Sequence, residues 1–263
     1  MSDERRHGRP AAFWIAGFVL LAAWGVSMLW LRGHSGRAPS AIRSTSYGAL
    51  VPSETHLVYR VMAGQDAMGD LEYSVIAQGS GRRITWRLSL LLAAQGESGA
   101  VTANGSSMLD STGTLSSFSA TMALGAQTVE VSGTRREDVM TIQYSGFGAS
   151  RARVVHVDST LSVGDGFFPG LIGGCPRRNE RLTWQVFDPL TLVSNDVSLE
   201  RERGSVMPPA PEDGCVLAVV YKGLKTLMWV DAQGVVVRQR TPVGWELVLE
   251  PDHDHPPNGQ VRP

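Results

Sequence analysis

What is scarce in this chain narrows its class before any motif is considered. Lysine is almost missing: of 24 cationic side chains only Lys222 and Lys225 are lysines, a skew that reads as genome composition and not as arginine-specific recognition. Charge of either sign is thin, at 19% of residues with a formal net charge of −1. Nucleic-acid binders carry a strong basic field, so that class is set aside. Cysteine occurs twice, at Cys175 and Cys215, and that spacing rules out a CxxC redox pair or a zinc-ligand pair. Helical periodicity is also missing: beyond the first 31 residues no stretch of more than about ten residues follows it.

What is present suits a turn-rich β protein. Hydrophobic residues make up 43%, with 29 glycines and 14 prolines, which indicates a real core punctuated by turns and no general disorder. The 263 residues allow one large or two small domains. From His56 to Glu250 apolar residues recur every second position, in pieces divided by Gly, Asn, Asp or Ser. In "RRITWRLSLLLAA" Ile84, Trp86, Leu88, Leu90 and Leu92 fall on one face, with Arg83, Arg87 and Ser89 on the other. That is the pattern of a half-buried antiparallel strand. Turn signals recurring about every 8–12 residues predict an all-β fold built on a large curved antiparallel sheet, half-barrel or sandwich-like.

The N-terminus adds one predicted transmembrane helix. Arg5, Arg6 and Arg9 precede the uncharged run "AAFWIAGFVLLAAWGVSMLWL" at 11–31, with Trp14 and Trp30 near its ends. A helix of that length spans roughly 30 Å, the thickness of a hydrocarbon core, and its tryptophans suit the interfaces. A cleaved signal peptide is the alternative, but its apolar region is normally about 7–15 residues, and "APSA" at 38–41 offers only a distant cleavage site. The expected organisation is a cytoplasmic tail over 1–10, an anchor over 11–31 and a flexible spacer over 32–53. An extracytoplasmic β domain over 54–250 and a disordered tail over 251–263 complete it. Three arginines lie on each side of the helix, so charge does not orient it. The short basic leader and the even cysteine count favour a body on the periplasmic side of the inner membrane. There Cys175 and Cys215 pair; the alternative is two unrelated buried thiols. Closing a loop of about 40 residues would contribute roughly 4 kcal/mol on the chain-entropy model.

"WVDAQGVVVRQRTPVGWELVLE", residues 229–250, holds a carboxylate, two arginines and two tryptophans around a Gly turn. Asp231 to Gly234 read as the tight turn of a hairpin, Asp231 capping it through its carboxylate. Trp229, Val235, Val237, Trp245, Leu247 and Leu249 are then core or half-core positions. Catalytic chemistry finds little support: there is no G-x-S-x-G elbow, Walker motif or helix-opening G-x-G-x-x-G. His156 and Asp158 in "VVHVDST" are the least implausible catalytic pair, since residues two apart share one face of a strand. His56 sits in a similar alternating strand. "DHDH" at 252–255 has metal-binding composition but lies among prolines in the tail, so no functional metal site is expected. No cofactor is expected either. "NGS" at 104–106 matches a glycosylation acceptor. The segment "GFFPGLIGG" at 166–174 is both irregular and apolar. Its Phe167, Phe168, Leu171 and Ile172, with "SLLLAA" and "MALG", are the candidates for lining an apolar concavity; the bland alternative is that they complete the core.

Three landmarks, "GQDAMGDLEYSV" at 64–75, "WQVFDPLTLVSNDVSLE" at 184–200 and "LMWVDAQGVVVRQRTPVGWELVLE" at 227–250, occur in a recognisable order. They resemble the β-rich envelope domain that often precedes bacterial transglutaminase-like domains. That domain is distantly similar to periplasmic lipoprotein carriers of the LolA type, whose half-barrel shelters lipid. The resemblance implies that Asp188, Pro189, Asp231 and Gly234 are turn positions. After Glu250 only the tail is expected, without the Cys-His-Asp module, so no catalytic residue carries over. The function expected is a non-catalytic binding or scaffold module of the cell envelope. Its partners would be the bilayer, through residues 11–31, and an envelope protein or a lipid-like ligand. The competing expectations are an enzyme using His156 and Asp158, and a structural accessory of an envelope complex.

Overall fold

The computed structural model describes residues 43–44, 54–94, 97–157, 162–163, 175–177, 180–188, 193–202 and 206–251. The run at 11–31, and with it the expected anchor, lies outside the described residues. Among those that are described, every regular element is a strand. The first nine are β1 (Arg43–Ser44), β2 (Thr55–Ala63), β3 (Asp66–Gln78), β4 (Gly81–Ala94), β5 (Glu97–Leu109), β6 (Leu115–Leu124), β7 (Gln127–Arg136), β8 (Val139–Gly146) and β9 (Ala149–His156). The rest are β10 (Ser162–Val163), β11 (Arg181–Asp188), β12 (Val193–Arg201), β13 (Cys215–Tyr221), β14 (Leu224–Val230), β15 (Val236–Arg240) and β16 (Trp245–Leu249).

In two runs of the chain consecutive strands pair antiparallel, most of them through turns too short for any other arrangement; the longer link from β12 to β13 joins neighbours as well. Two meanders result, β2 to β9 and β11 to β16. They fuse where β16 pairs with β2, Trp245 opposite Ala63 and Leu249 opposite Tyr59. Of the sixteen strands all but β1 and β10 are antiparallel to their neighbours, which leaves one continuous fourteen-stranded antiparallel sheet. It is a single curved sheet, not two stacked ones, and it is not closed: β9 and β11 end the path without pairing to each other. β1, inside the segment expected as spacer, and β10 each add a two-residue parallel bridge to β11. β10 also comes into contact with β6, far along the path, so the sheet rolls until its β11 edge faces its own middle.

The alternation read from the sequence sorts the residues between two faces. On β3 and β4 the inner face carries Leu71, Tyr73, Val75, Ile84 and Leu88, all at least 92% removed from solvent, whereas Arg83 and Arg87 are exposed on the outer face. Two cross-strand contacts shape this inner face. Trp86 stands opposite Gly105 and Phe118 opposite Gly133. A Cβ at Gly105 would lie 2.5 Å from the Trp86 ring, and one at Gly133 2.2 Å from the Phe118 ring. The glycines let the rings lie flat on the neighbouring strand, a device that covers a bare backbone with aromatic surface.

One stretch departs from simple alternation. Of the three valines here Val236, not Val235 or Val237, is fully buried. The register explains it: Val230 pairs with Val236 and Trp229 with Arg238, so Val237 is an extra residue and the pattern slips by one. Trp229 is buried as expected, but on the outer face, under the segment that precedes β13. Its Nε1–H donates to the Pro208 carbonyl at 2.7 Å. Leu247 is fully buried, and Trp245 and Leu249 are half-buried.

Replacing Gly133 with valine should destabilise the protein by about 1–3 kcal/mol, the usual cost of overpacking. Ser119→Ala, on the outer face of the adjacent strand, should change stability by less than about 0.5 kcal/mol. Denaturant titration followed by tryptophan fluorescence measures both.

Candidate functional site

The charged hairpin at 229–250 is a structural clamp. Asp231 Oδ1 accepts hydrogen bonds from the Gln233 and Val235 amides at 3.0 and 2.8 Å, and the Gly234 amide donates to the Asp231 carbonyl at 3.1 Å. Gly234 adopts φ 86°, which the turn requires and other residues resist. Beyond the turn, Glu246 receives Arg238 and, at 2.6 Å, Arg240. Both guanidiniums lie over the Trp229 ring, 5.9 and 5.3 Å from its centre. Burial by itself raises the Glu246 carboxyl, but the hydrogen bonds and charges of Arg238 and Arg240 outweigh it and hold the group below the usual carboxylate range. Arg240 also donates to the Met207 carbonyl at 3.1 Å. The cluster therefore ties the overlying segment to the sheet.

Other titratable groups are equally committed. Asp110 caps the turn between β5 and β6 by accepting from the Thr112 hydroxyl and from the Thr112 and Thr114 amides; burial again raises its carboxyl, and these bonds, the hydroxyl's first, prevail and lower it. Tyr59 donates its hydroxyl to the Val236 carbonyl at 2.8 Å, and burial, aided by the charge of Asp231, pushes its ionisation far up. Cys175 and Cys215 form a disulfide across 40 residues, joining the segment before β11 to the start of β13. His156 lies on the outer face of β9, its Nδ1 3.5 Å from Asp138 with both side chains largely exposed. Asp158, its expected partner, lies outside the described residues, as do Pro189 and the "DHDH" stretch. His56 meets Ser74 at 2.8 Å on the same exposed face. Among the described residues no three His, Cys, Asp or Glu side chains cluster as metal ligands. Asn104 of the "NGS" match sits within β5, paired with Arg87 and Thr121, not in a loop.

The landmark motifs turn out to be backbone devices. Gly69 in "GQDAMGDLEYSV" faces β4 so closely that a Cβ would lie 1.8 Å from the Ser89 carbonyl oxygen. Asp188 is the last residue of β11, opposite Val193.

What remains unfilled is one end of the inner face. A row of paired residues crosses the sheet from Met228 through Gln239, Leu247, Val61, Gly69, Leu90 and Val101 to Leu124. Met228, Gln239 and Leu247 are fully buried, Leu90 nearly so, Val101 partly, and Leu124 is 38% exposed. The adjacent row runs from Tyr59 through Leu71, Leu88 and Ala103 to Met122 and Val129, and there Met122 is 46% exposed. The next rows, with Val131, Ile142 and Phe118, are buried. The inner face is thus packed over most of its area and opens, still apolar, over β5, β6 and β7. Of the segments expected to line a concavity, Leu90 and Leu92 of "SLLLAA" and Met122 and Leu124 of "MALG" come together here. Phe167, Phe168, Leu171 and Ile172 lie outside the described residues. Val101 and Val129 belong to the same opening, and only the register places them there.

These features define an all-β protein with a barrel-like, incompletely closed sheet. No protein-family model matches the chain, and no curated protein matches it. Among solved structures it is similar to the crystal structure of a β-barrel-like protein of the domain of unknown function DUF1849 from Brucella abortus, with a TM-score of 0.50. Identity is 8%, over 76% of this chain and 97% of that one, so the likeness concerns the fold alone.

Glu246→Gln should destabilise the protein by about 2 kcal/mol near neutral pH, because a charge-assisted pair of bonds is lost under cover. A carboxyl lowered by folding stabilises above its unfolded-state value, and that contribution fades as pH falls through the folded value. The variant's stability should therefore fall less steeply than the parent's on acidification below about pH 5, as thermal unfolding across a pH series would record.

Proposed function

We propose that this chain is a non-catalytic binding module of the bacterial cell envelope whose inner sheet face takes an apolar, lipid-like ligand. The observation that carries the reading is the opening at Val101, Met122, Leu124 and Val129, where apolar side chains continue the core pattern but are only partly covered, Met122 and Leu124 being 46% and 38% exposed. A β-barrel-like sheet is an architecture suited to such ligands. In this reading residues 11–31 hold the chain in the inner membrane, residues 32–53 lift the body from it, and the body faces the periplasm. The uncharged length of that run and the Cys175–Cys215 bond support this placement. The resemblance to the domain preceding transglutaminase-like modules, and to LolA-type carriers, points to the same compartment and ligand class.

Met122→Lys with Leu124→Lys introduces charge where both side chains are already part-exposed, so stability should shift by no more than about 1 kcal/mol. Lipid extracted from the gently purified full chain should be present in stoichiometric amount and be lost from this double variant. A parent chain that yields no bound lipid by mass spectrometry would count against the ligand reading. For the placement, a reporter that matures only outside the cytoplasm, fused after Pro263, should be active; an inactive reporter with full expression would reverse the orientation.

A further inference from the structure

The strand that ends the sheet next to the opening carries charge of one sign on its inner face. β9 is exposed along its length apart from a half-buried Val155. Its register with β8 sets Arg151 opposite Tyr144 and Arg153 opposite Ile142, on the face that carries the core. Neither arginine has an ion-pair partner among the described residues. The inner-face positions of β6 to β9 hold no Asp or Glu, so the sheet itself supplies no carboxylate to these guanidiniums. The row Met122, Val129, Gly146 and Ala149 leads from the apolar opening to the same strand. That path crosses three inter-strand spacings, roughly 14 Å, and Arg151 lies one row beside its end.

We infer that the opening binds an amphiphile with an anionic head, its tail over Met122, Leu124 and Val129 and its head on Arg151 and Arg153. The inference rests on the reading of this face as a ligand site and adds the ligand's charge. Guanidiniums donate paired hydrogen bonds to a carboxylate or phosphate in a fixed fork, and an apolar trough beside them selects the attached chain. Inward charges on an edge strand also deter unwanted strand pairing. That role is indifferent to a ligand's head group, which is the property the experiment reads.

The test uses the full chain in its own membrane, exposed to two photoreactive probes: a diazirine analogue of palmitic acid and the matching analogue of hexadecanol. Cross-linked residues are mapped by mass spectrometry in the parent and in Arg151→Gln with Arg153→Gln. The expected result is labelling of β6 and β7 by the acid in the parent, reduced roughly three- to tenfold in the double variant. The alcohol should label both proteins equally, which also shows that the variant keeps its fold. Equal acid labelling of parent and variant would overturn the anionic head while leaving the apolar site in place. If neither probe labels this face, as when a segment of the chain fills it, both the inference and the ligand reading fall.

Discussion

The whole sheet depends on one pairing, that of the last strand with the first long one. β16 lies against β2 in register from Trp245–Ala63 to Leu249–Tyr59, and the Glu250 amide extends the ladder by donating to the Val58 carbonyl at 2.8 Å. Arg60 and Glu250 form an ion pair on the outer face of the same seam. On the inner side Tyr59 reaches across to the Val236 carbonyl, and Leu247 and Val61 sit together at the base of the packed rows. Without this seam the meanders would be two separate sheets, each with a long unpaired edge and half an apolar face. With it, one row of side chains runs unbroken from β14 to β6.

The rows then explain why the interior fills unevenly. Over β14, β15, β16 and β2 the inner face is filled by buried side chains such as Met228, Gln239, Leu247 and Tyr59; further on Gly69, Ala103 and Gly105 leave less side-chain volume on the rolled sheet. Trp86 and Phe118 lie over Gly105 and Gly133 and seal the rows toward one end. Beyond Ala103 the neighbouring row carries only Met122, Val129, Gly146 and Ala149, and that is where burial fails. Among the described residues the opening follows the distribution of side-chain sizes.

Much of the architecture was legible from periodicity alone. The alternation in "RRITWRLSLLLAA" sorted Ile84, Trp86 and Leu88 from Arg83 and Arg87 correctly, because a two-residue period has one physical solution at a half-buried sheet. The Asp231–Gly234 turn was equally clear, since its residues act locally. What a sequence of local patterns does not encode is pairing between distant segments. The β16–β2 seam and the burial of Trp229 beneath Pro208 depend on partners outside the local pattern, and the slip at Val237 shows only in the pairing of β14 with β15. The candidate site shares that character. "SLLLAA" and "MALG" stood out as apolar, but their meeting with Val101 and Val129 is a property of the register. Arg151 and Arg153 looked like ordinary strand charges until β9 proved to be the end of the sheet.

The seam also sets the order in which the molecule becomes whole. Arg60 and Glu250 are 190 positions apart, so the strand that completes the sheet is made long after the one it pairs with. Until then β2 offers a bare row of amides and carbonyls. Assembly through contacts so distant in sequence is slow, because a long loop must close before the pairing repays it. Until β16 is made the two meanders remain separate ribbons, and its five residues act as the zip that commits them to one body.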